Sequence, residues 1–378
     1  MSGPKKIMLA DPVLGEAEKR ALESVIDSNW LTMGPRVAEF ERAFAAAHGV
    51  DTAVAVNSCT AGLHLSLLAL GIGPGDEVLV PSLTFVATVN VVLYVGARPV
   101  FVDIESPERP NISIADAQKK CTDRTKAVIV MHYGGYLVDL PAWRSFADER
   151  GVVLVEDAAH APGVGAVGRY GDAAAFSFFT NKNMTTAEGG MVFARQEPVI
   201  ERVRRLRAHG MTTDTLQRDR GHAFSYDVTM LGYNYRLDEL RAAIGLVQLS
   251  HLPTWNARRR ELSEYYRRRF AEDLPAVSVP FQHGHETSAH LLPMLLREGE
   301  DRGKVMERLR QAGIQSSIHY PPVHLFNYYQ KQFPGISLPQ TERFFRREIT
   351  LPLHPTLTEN DVDIVTSTVR DALALRAH

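Results

Sequence analysis

The sequence predicts an α/β architecture, a mostly parallel sheet flanked by helices, joined to a smaller C-terminal α+β domain. Three observations carry that prediction. Short apolar, β-branched runs alternate with helical stretches as far as about residue 250. The runs are apolar on both faces, as strands buried in a parallel sheet must be. Near residue 236 the texture changes, and arginine-rich helical segments with scattered strand-like pieces take over. The large domain is expected over 15–250 and the small one over 251–378, with 1–14 as an N-terminal arm.

The elements follow in order. GPRVAEFERAFAAAHG (34–49) reads as a helix, with Val37, Phe40 and Phe44 on one face and Gly49 as its stop. The expected strands are 53–56, 77–81, 99–103, 127–132, 152–157, 174–179 and 191–193. Between them lie helical stretches such as TAGLHLSLLALG (60–71) and LPAWRSFADERG (140–151). RLDELRAAIGLVQLSHL (236–252) places Leu237, Leu240, Ile244 and Val247 on one stripe, the mark of a core or a subunit interface. A second helix, NARRRELSEYYRRRF (256–270), follows, then KVMERLRQAG (304–313) and the proline-rich IHYPPVHLF (318–326).

Composition narrows the function classes. The 378 residues are 45% hydrophobic and 23% charged, as in a soluble globular protein. A net charge of −2 offers no bulk attraction to nucleic acid or anionic membrane. The clusters Arg258-Arg259-Arg260 and Arg267-Arg268-Arg269 read as solvated helix faces. Cys59 and Cys121 are too few for a disulfide framework and suggest no metal site. A reduced, cytoplasmic setting is expected. The N-terminus lacks an apolar signal region, and no apolar run approaches the ~20 residues of a membrane span.

In open parallel sheets, ligands sit beyond the carboxyl ends of the strands. Three groups fall there. After the first strand comes Ser58-Cys59-Thr60-Ala61-Gly62, which suits either an ordinary helix cap or an anion cradle of hydroxyls and backbone N–H groups. Glu156 and Asp157 end another strand, where a carboxylate caps a helix or faces a cationic ligand. His160 follows three residues on, either a structural histidine or a pocket group. Lys182 lies just past the strand 174–179, where desolvation would free its amine as a nucleophile. Lysine, carboxylate and phosphate cradle together are what pyridoxal 5′-phosphate requires.

The motifs WLTMGPRVAEFE (30–41), VNSCTAGLHLSLLALGIGPGDEVLVPSLTFVAT (56–88), GARPVFVDI (96–104), HYGG (132–135), VEDAAHAPG (155–163), FSFFTNKNMTTAEGG (176–190) and GYNYRLDELRAAIGLVQL (232–249) resemble those of the DegT/DnrJ/EryC1/StrS sugar aminotransferases. The resemblance implies a fold-type-I pyridoxal-phosphate enzyme. It implies that Lys182 forms the Schiff base with the cofactor and Asp157 pairs with its ring nitrogen. Phe85 would stack on the ring, and His160 would lie near the 3′-oxygen. Ser177, Thr60 and the Ala61 backbone would hold the phosphate, and Asn234 would reach the phosphate in the neighbouring subunit of a homodimer. The implied donor is L-glutamate and the implied acceptor a nucleotide-linked keto sugar.

Thr185, Thr186 and Glu188-Gly189-Gly190 resemble the relatives that aminate C-4″ of the sugar; C-3″ and aminocyclitol aminotransferases are the alternatives. A related sugar dehydratase would carry histidine at position 182. A binding protein that had lost catalysis would not require Lys182, Asp157 and Ser177. Ala187 stands where many relatives have glycine, and Phe179 where several have histidine. For the nucleotide-sugar the candidates are Arg236, the loop 209–227, His319, Tyr320 and His324, each of which reads equally as loop or core.

Overall fold

Each apolar run expected as a strand forms one. The computed structural model describes residues 6–212, 226–275, 277–281 and 286–374. Its strands in chain order are β1 (Ala53–Val56), β2 (Glu77–Pro81), β3 (Arg98–Val102), β4 (Ile104–Ser106), β5 (Arg109–Ile112), β6 (Thr125–Met131), β7 (Val153–Asp157), β8 (Ala173–Ser177), β9 (Gly190–Ala194), β10 (Leu292–Leu295) and β11 (Glu348–Leu351). Seven of them make one sheet, ordered β1-β9-β8-β7-β6-β2-β3. Only β9 runs against its neighbours, pairing antiparallel with both β1 and β8. The other six therefore deliver their carboxyl ends to a single edge.

Alternation along β6 shows why both faces had to be apolar. Ala127 and Ile129 join the cluster beneath the helices Cys59–Ala69 and Ala87–Tyr94, with Leu63, Leu67 and Val89. Val128 and Val130 point the other way, to Trp143 and Phe146 of the helix Leu140–Arg150. The helix expected at 34–49 spans Pro35–His48 and stops at Gly49, whose φ of 65° is left-handed.

The two helices expected on either side of residue 253 are one, Glu239–Asp273, with Pro253 inside it. Proline removes one N–H from the ladder, but packing holds the helix on both sides of it. Ala242 and Leu252 belong to the cluster under β1 and β9, and Leu262, Tyr266 and Phe270 to the cluster around β10 and β11. The position 250/251 falls within this one helix. The stripe at 237–247 is resolved into two faces. Leu237 precedes the helix and is fully buried, whereas Leu240, Ile244 and Val247 are half-buried.

Two arginines read as solvated are not. Arg259 is buried and donates to the Leu353 carbonyl at 2.7 Å; Arg267 donates to the carbonyls of Val279 and Pro280. Both lie on the helix face that meets the small sheet, a placement invisible to a count of local charges. No described helix is long and apolar enough to cross a membrane.

Glu239 joins the long helix to the Pro35–His48 helix. It is buried and accepts backbone N–H bonds from Gly34 (2.9 Å), Arg36 (2.8 Å) and Val37 (2.9 Å). A helix start leaves such donors unpaired and attracts negative charge. Glu239→Ala should lower the unfolding free energy by about 1.5–3 kcal/mol in urea denaturation, and Glu239→Gln by less.

Candidate active site

The carboxyl edge of the sheet brings Asp157 and Lys182 together. Asp157 ends β7 and is 3% exposed. Its Oδ2 accepts from Thr88 Oγ1 at 2.6 Å and its Oδ1 from the Ala159 N–H at 3.1 Å. Burial pushes its pKa up. The Thr88 and Ala159 bonds, then Lys182 and His132, pull it back. No described lysine or arginine forms an ion pair with it; its hydrogen bonds come from neutral donors, and Lys182 acts on it only at longer range.

Its neighbour Glu156 has a different role. Side chains alternate along a strand, so Glu156 faces away from Asp157. His132 lies 3.0 Å from Oε2, and the Gly171 N–H donates to Oε1 at 2.7 Å. Of the two strand-end carboxylates, Glu156 is satisfied by His132 and backbone amides, and Asp157 lies on the side of Lys182.

Lys182 follows β8 by a short turn, with its N–H on the Phe179 carbonyl at 2.9 Å. Burial pushes its ammonium down to about 8, against the pull of Asp157 and Cys59. At pH 7 roughly a tenth of such an amine is unprotonated, against roughly four parts in ten thousand for an ordinary lysine. The next residue anchors it. Asn183 Nδ2 donates to Asn256 Oδ1 and to the Ser288 carbonyl, each at 2.8 Å, while its Oδ1 lies 2.8 Å from His290 Nδ1.

Phe85 is 55% exposed, with its ring centroid 6.1 Å from that of Tyr320. An open aromatic face at the edge of a cleft is a stacking surface. His160 is buried; its Nδ1 accepts from the Gly134 N–H at 3.2 Å, so a neutral ring carries its proton on Nε2, 2.9 Å from Tyr320 Oη.

The turn after β1 is a true helix start. Ser58 caps it by accepting from the Ala61 N–H at 3.1 Å, and that amide is thus engaged. The amides of Cys59 and Thr60 have no partner within the helix. Ser177 ends β8 opposite Gly190, and its hydroxyl accepts from the Phe179 N–H at 3.3 Å. A Cβ on Gly190 would come within 2.8 Å of Cys59 N, so glycine is what lets β9 pass this close to the turn.

Other candidates fall elsewhere. Thr185 and Thr186 use their hydroxyls on the carbonyls of Phe178 and Glu188, so they shape the turn and leave the exposed Phe179 to face outward. Ala187 has φ 66°, a left-handed conformation that explains the preference for glycine there. His324 is buried, with Nδ1 2.7 Å from Ser82 Oγ, and serves packing rather than the cleft. Asn234 is exposed beyond the end of β1, and Arg236 is half-buried. Residues 213–225 of the loop 209–227 lie outside the described residues.

Two sets of contacts around Asp157 and Lys182 escaped the sequence reading. Thr88 sits inside the motif already noted, but only the fold aims it at Asp157. The Asn183–Asn256–His290 bonds join residues far apart in the chain.

A direct check of the lysine is its pH of reaction. In cofactor-free protein, amine acylation read by mass spectrometry should give Lys182 a midpoint near 8, below the ~10.4 of a free side chain.

Comparisons with known proteins concern the chain as a whole. The model of the DegT/DnrJ/EryC1/StrS aminotransferase family matches residues 12–370. The spore coat polysaccharide biosynthesis protein SpsC of Bacillus subtilis (strain 168) is 39% identical over 372 residues, 95% of each chain. The structure of the aminotransferase TlmJ from Streptoalloteichus hindustanus superposes with a TM-score of 0.90 at 38% identity, over 98% of this chain and all of that one. Spr1654 of Streptococcus pneumoniae, solved in its PMP form, gives 0.90 at 31% identity over 97% of this chain and 99% of that one; its PLP form gives 0.87 at 30% over 98% and 99%. On an end-to-end match the chain belongs to the DegT/DnrJ/EryC1/StrS aminotransferase family and is a pyridoxal 5′-phosphate-dependent sugar aminotransferase.

Proposed function

We propose that this enzyme moves an amino group from L-glutamate to C-4″ of a nucleotide-diphosphate-linked keto-deoxy sugar, in the cytoplasm, as a homodimer with shared active sites. The observation that carries the reading is the placement of Lys182, just past the end of β8 and near the buried Asp157, whose carboxyl group is hydrogen-bonded by Thr88 and the Ala159 amide.

The residues fit pyridoxal phosphate. Asp157 offers a buried acceptor to a protonated ring nitrogen, Phe85 an open face to the ring, and His160 a neighbour for the 3′-oxygen. Thr60, Ser177 and the unpaired amides at the helix start suit the phosphate. The Ala61 amide would have to leave Ser58 to join them. Lys182 would hold the cofactor's aldehyde carbon in the resting enzyme. When bound, the cofactor supplies an electron sink for the donor's α-carbon.

The protein's own residues do the rest. Asp157, oriented by Thr88, would keep the ring nitrogen protonated. The Lys182 amine would carry a proton between the donor's α-carbon and the carbon that receives nitrogen. The depressed amine pKa suits that shuttle, because a base works best when its pKa lies near the operating pH. The exposed Asn234 supports contact with a second copy, as do the half-buried Leu240, Ile244 and Val247. Threonines before Glu188-Gly189-Gly190 support C-4″.

The deciding experiment is an absorbance spectrum of the holoenzyme. L-glutamate should bleach the visible band, and one nucleotide-linked 4-keto sugar should restore it; restoration by a 3-keto sugar alone would move the site of amination. Lys182→Ala should bind cofactor non-covalently and lose transamination, and sustained turnover would remove it from its role. Thr88→Val should lower kcat about ten- to hundred-fold, the worth of one hydrogen bond to a buried charge. Light scattering should find a dimer, and a fully active monomer would overturn the shared site.

A further inference from the structure

Glu348 is fully buried at the start of β11 and has no part in the chemistry above. Its two oxygens both lead to His319. Oε2 accepts the His319 backbone N–H at 3.1 Å. Oε1 lies 2.5 Å from Thr350 Oγ1, which lies 2.9 Å from His319 Nδ1. Glu348 and Thr350 are two apart on one strand, so both side chains leave the same face. Tyr133 Oη donates to the His319 carbonyl, completing a three-point clamp on that residue. The ring's open nitrogen is Nε2, and Lys182 is near enough that its charge helps hold His319 neutral.

We propose that Glu348 is a positioning residue for the active site: through Thr350 it sets which nitrogen of His319 carries the proton, and so whether the ring presents a donor or an acceptor to the cleft. The protons can be placed. With Glu348 protonated, Oε1–H donates to Thr350 and the threonine O–H donates to Nδ1. The ring proton then sits on Nε2, and the cleft meets a donor. With Glu348 ionised, the threonine O–H turns back to Oε1 and accepts from Nδ1–H. Nε2 then offers a lone pair. One proton leaves at Glu348, and the polarity reverses three groups away.

The surroundings make both states reachable. Burial pushes Glu348 up to about 8, against the Thr350 and His319 bonds and the positive charge of Arg302. Arg302 approaches from the Arg302–Gln311 helix, its Nη1 3.3 Å from the Glu348 carbonyl. Glu348 lies close enough to Tyr133 and Tyr320 that its charge pushes both phenols up. Lys182, His160 and His290 lie close enough to His319 for their charges to act on one another. Burial holds the His319 ring down to about 4, so it stays neutral while Glu348 titrates.

This deepens the proposed function, resting on it only where the cleft is taken to receive the sugar. The test is ring nitrogen NMR on full-length holoenzyme labelled with [15N]histidine, with His319→Gln assigning the resonance. Below about pH 8 His319 should carry its proton on Nε2, and above it on Nδ1. In Glu348→Gln the amide nitrogen can only donate to Thr350, so the ring should stay in the Nε2–H form throughout. In Thr350→Val the ring should stop following Glu348, which guards against misfolding of the first variant. The KM for the keto sugar should step at the same midpoint in the wild type and run flat in Glu348→Gln. A single tautomer across the range in the wild type, or an unaltered switch in Glu348→Gln, would overturn the proposal. The NMR readout needs no turnover, so it stands or falls apart from the choice of sugar.

Discussion

A carboxyl group removed from water with no ion-pair partner among the described residues is the constraint that organises this site. Desolvating a charge costs several kcal/mol, and neutral hydrogen bonds offset only part of it. Asp157 has Thr88 and the Ala159 amide and nothing of opposite charge in bonding distance. Its pKa is raised, yet it remains the natural seat for a positive ring nitrogen. Glu156, one residue earlier, shows what a carboxylate looks like when the protein itself satisfies it. Its oxygens are taken up by His132 and the amides of Gly168 and Gly171.

The same edge sets the lysine. β7 and β8 are parallel neighbours with Asp157 opposite Ala175, so the chain leaving β8 emerges beside the carboxyl group. Lys182 then needs only a short turn to reach the cleft. What fixes that turn comes from afar: Asn183 is tied to Asn256 of the long helix and to Ser288 and His290. That helix packs in the clusters of both sheets, so the turn that carries Lys182 is tied to both.

The roof of the cleft comes from the C-terminal part of the chain. Tyr320 lies over His160 and near Phe85, and His319 is clamped from three sides. Groups that meet solvent or ligand on one face are therefore rigid on the other. Such pre-organisation is what a site requires if binding is to orient a substrate rather than reshape the protein.

The strands were legible because a buried parallel sheet demands unbroken apolar runs, and the helix stop at Gly49 because left-handed backbone favours glycine. Asp157 and Lys182 were legible as candidates because strand-end residues of these types are costly without a partner, whereas Phe85 was legible only through the family resemblance. Periodicity did not tell β9 from its parallel neighbours, since strand direction is set by pairing and not by composition. It split the long helix at Pro253, and it read Arg259 and Arg267 as solvated although carbonyls of the small sheet region receive them. Thr88, Asn183 and Glu348 carry no local signal, because their meaning lies in partners as far as 107 residues away, or in a buried two-residue step on a strand. The amino-acid sequence by itself determined the layers and pointed to the candidate pair Asp157 and Lys182, through burial and strand-end chemistry. Only the tertiary structure decided how that pair is oriented and what faces it, because hydrogen-bond direction depends on which distant atoms are brought within 3 Å.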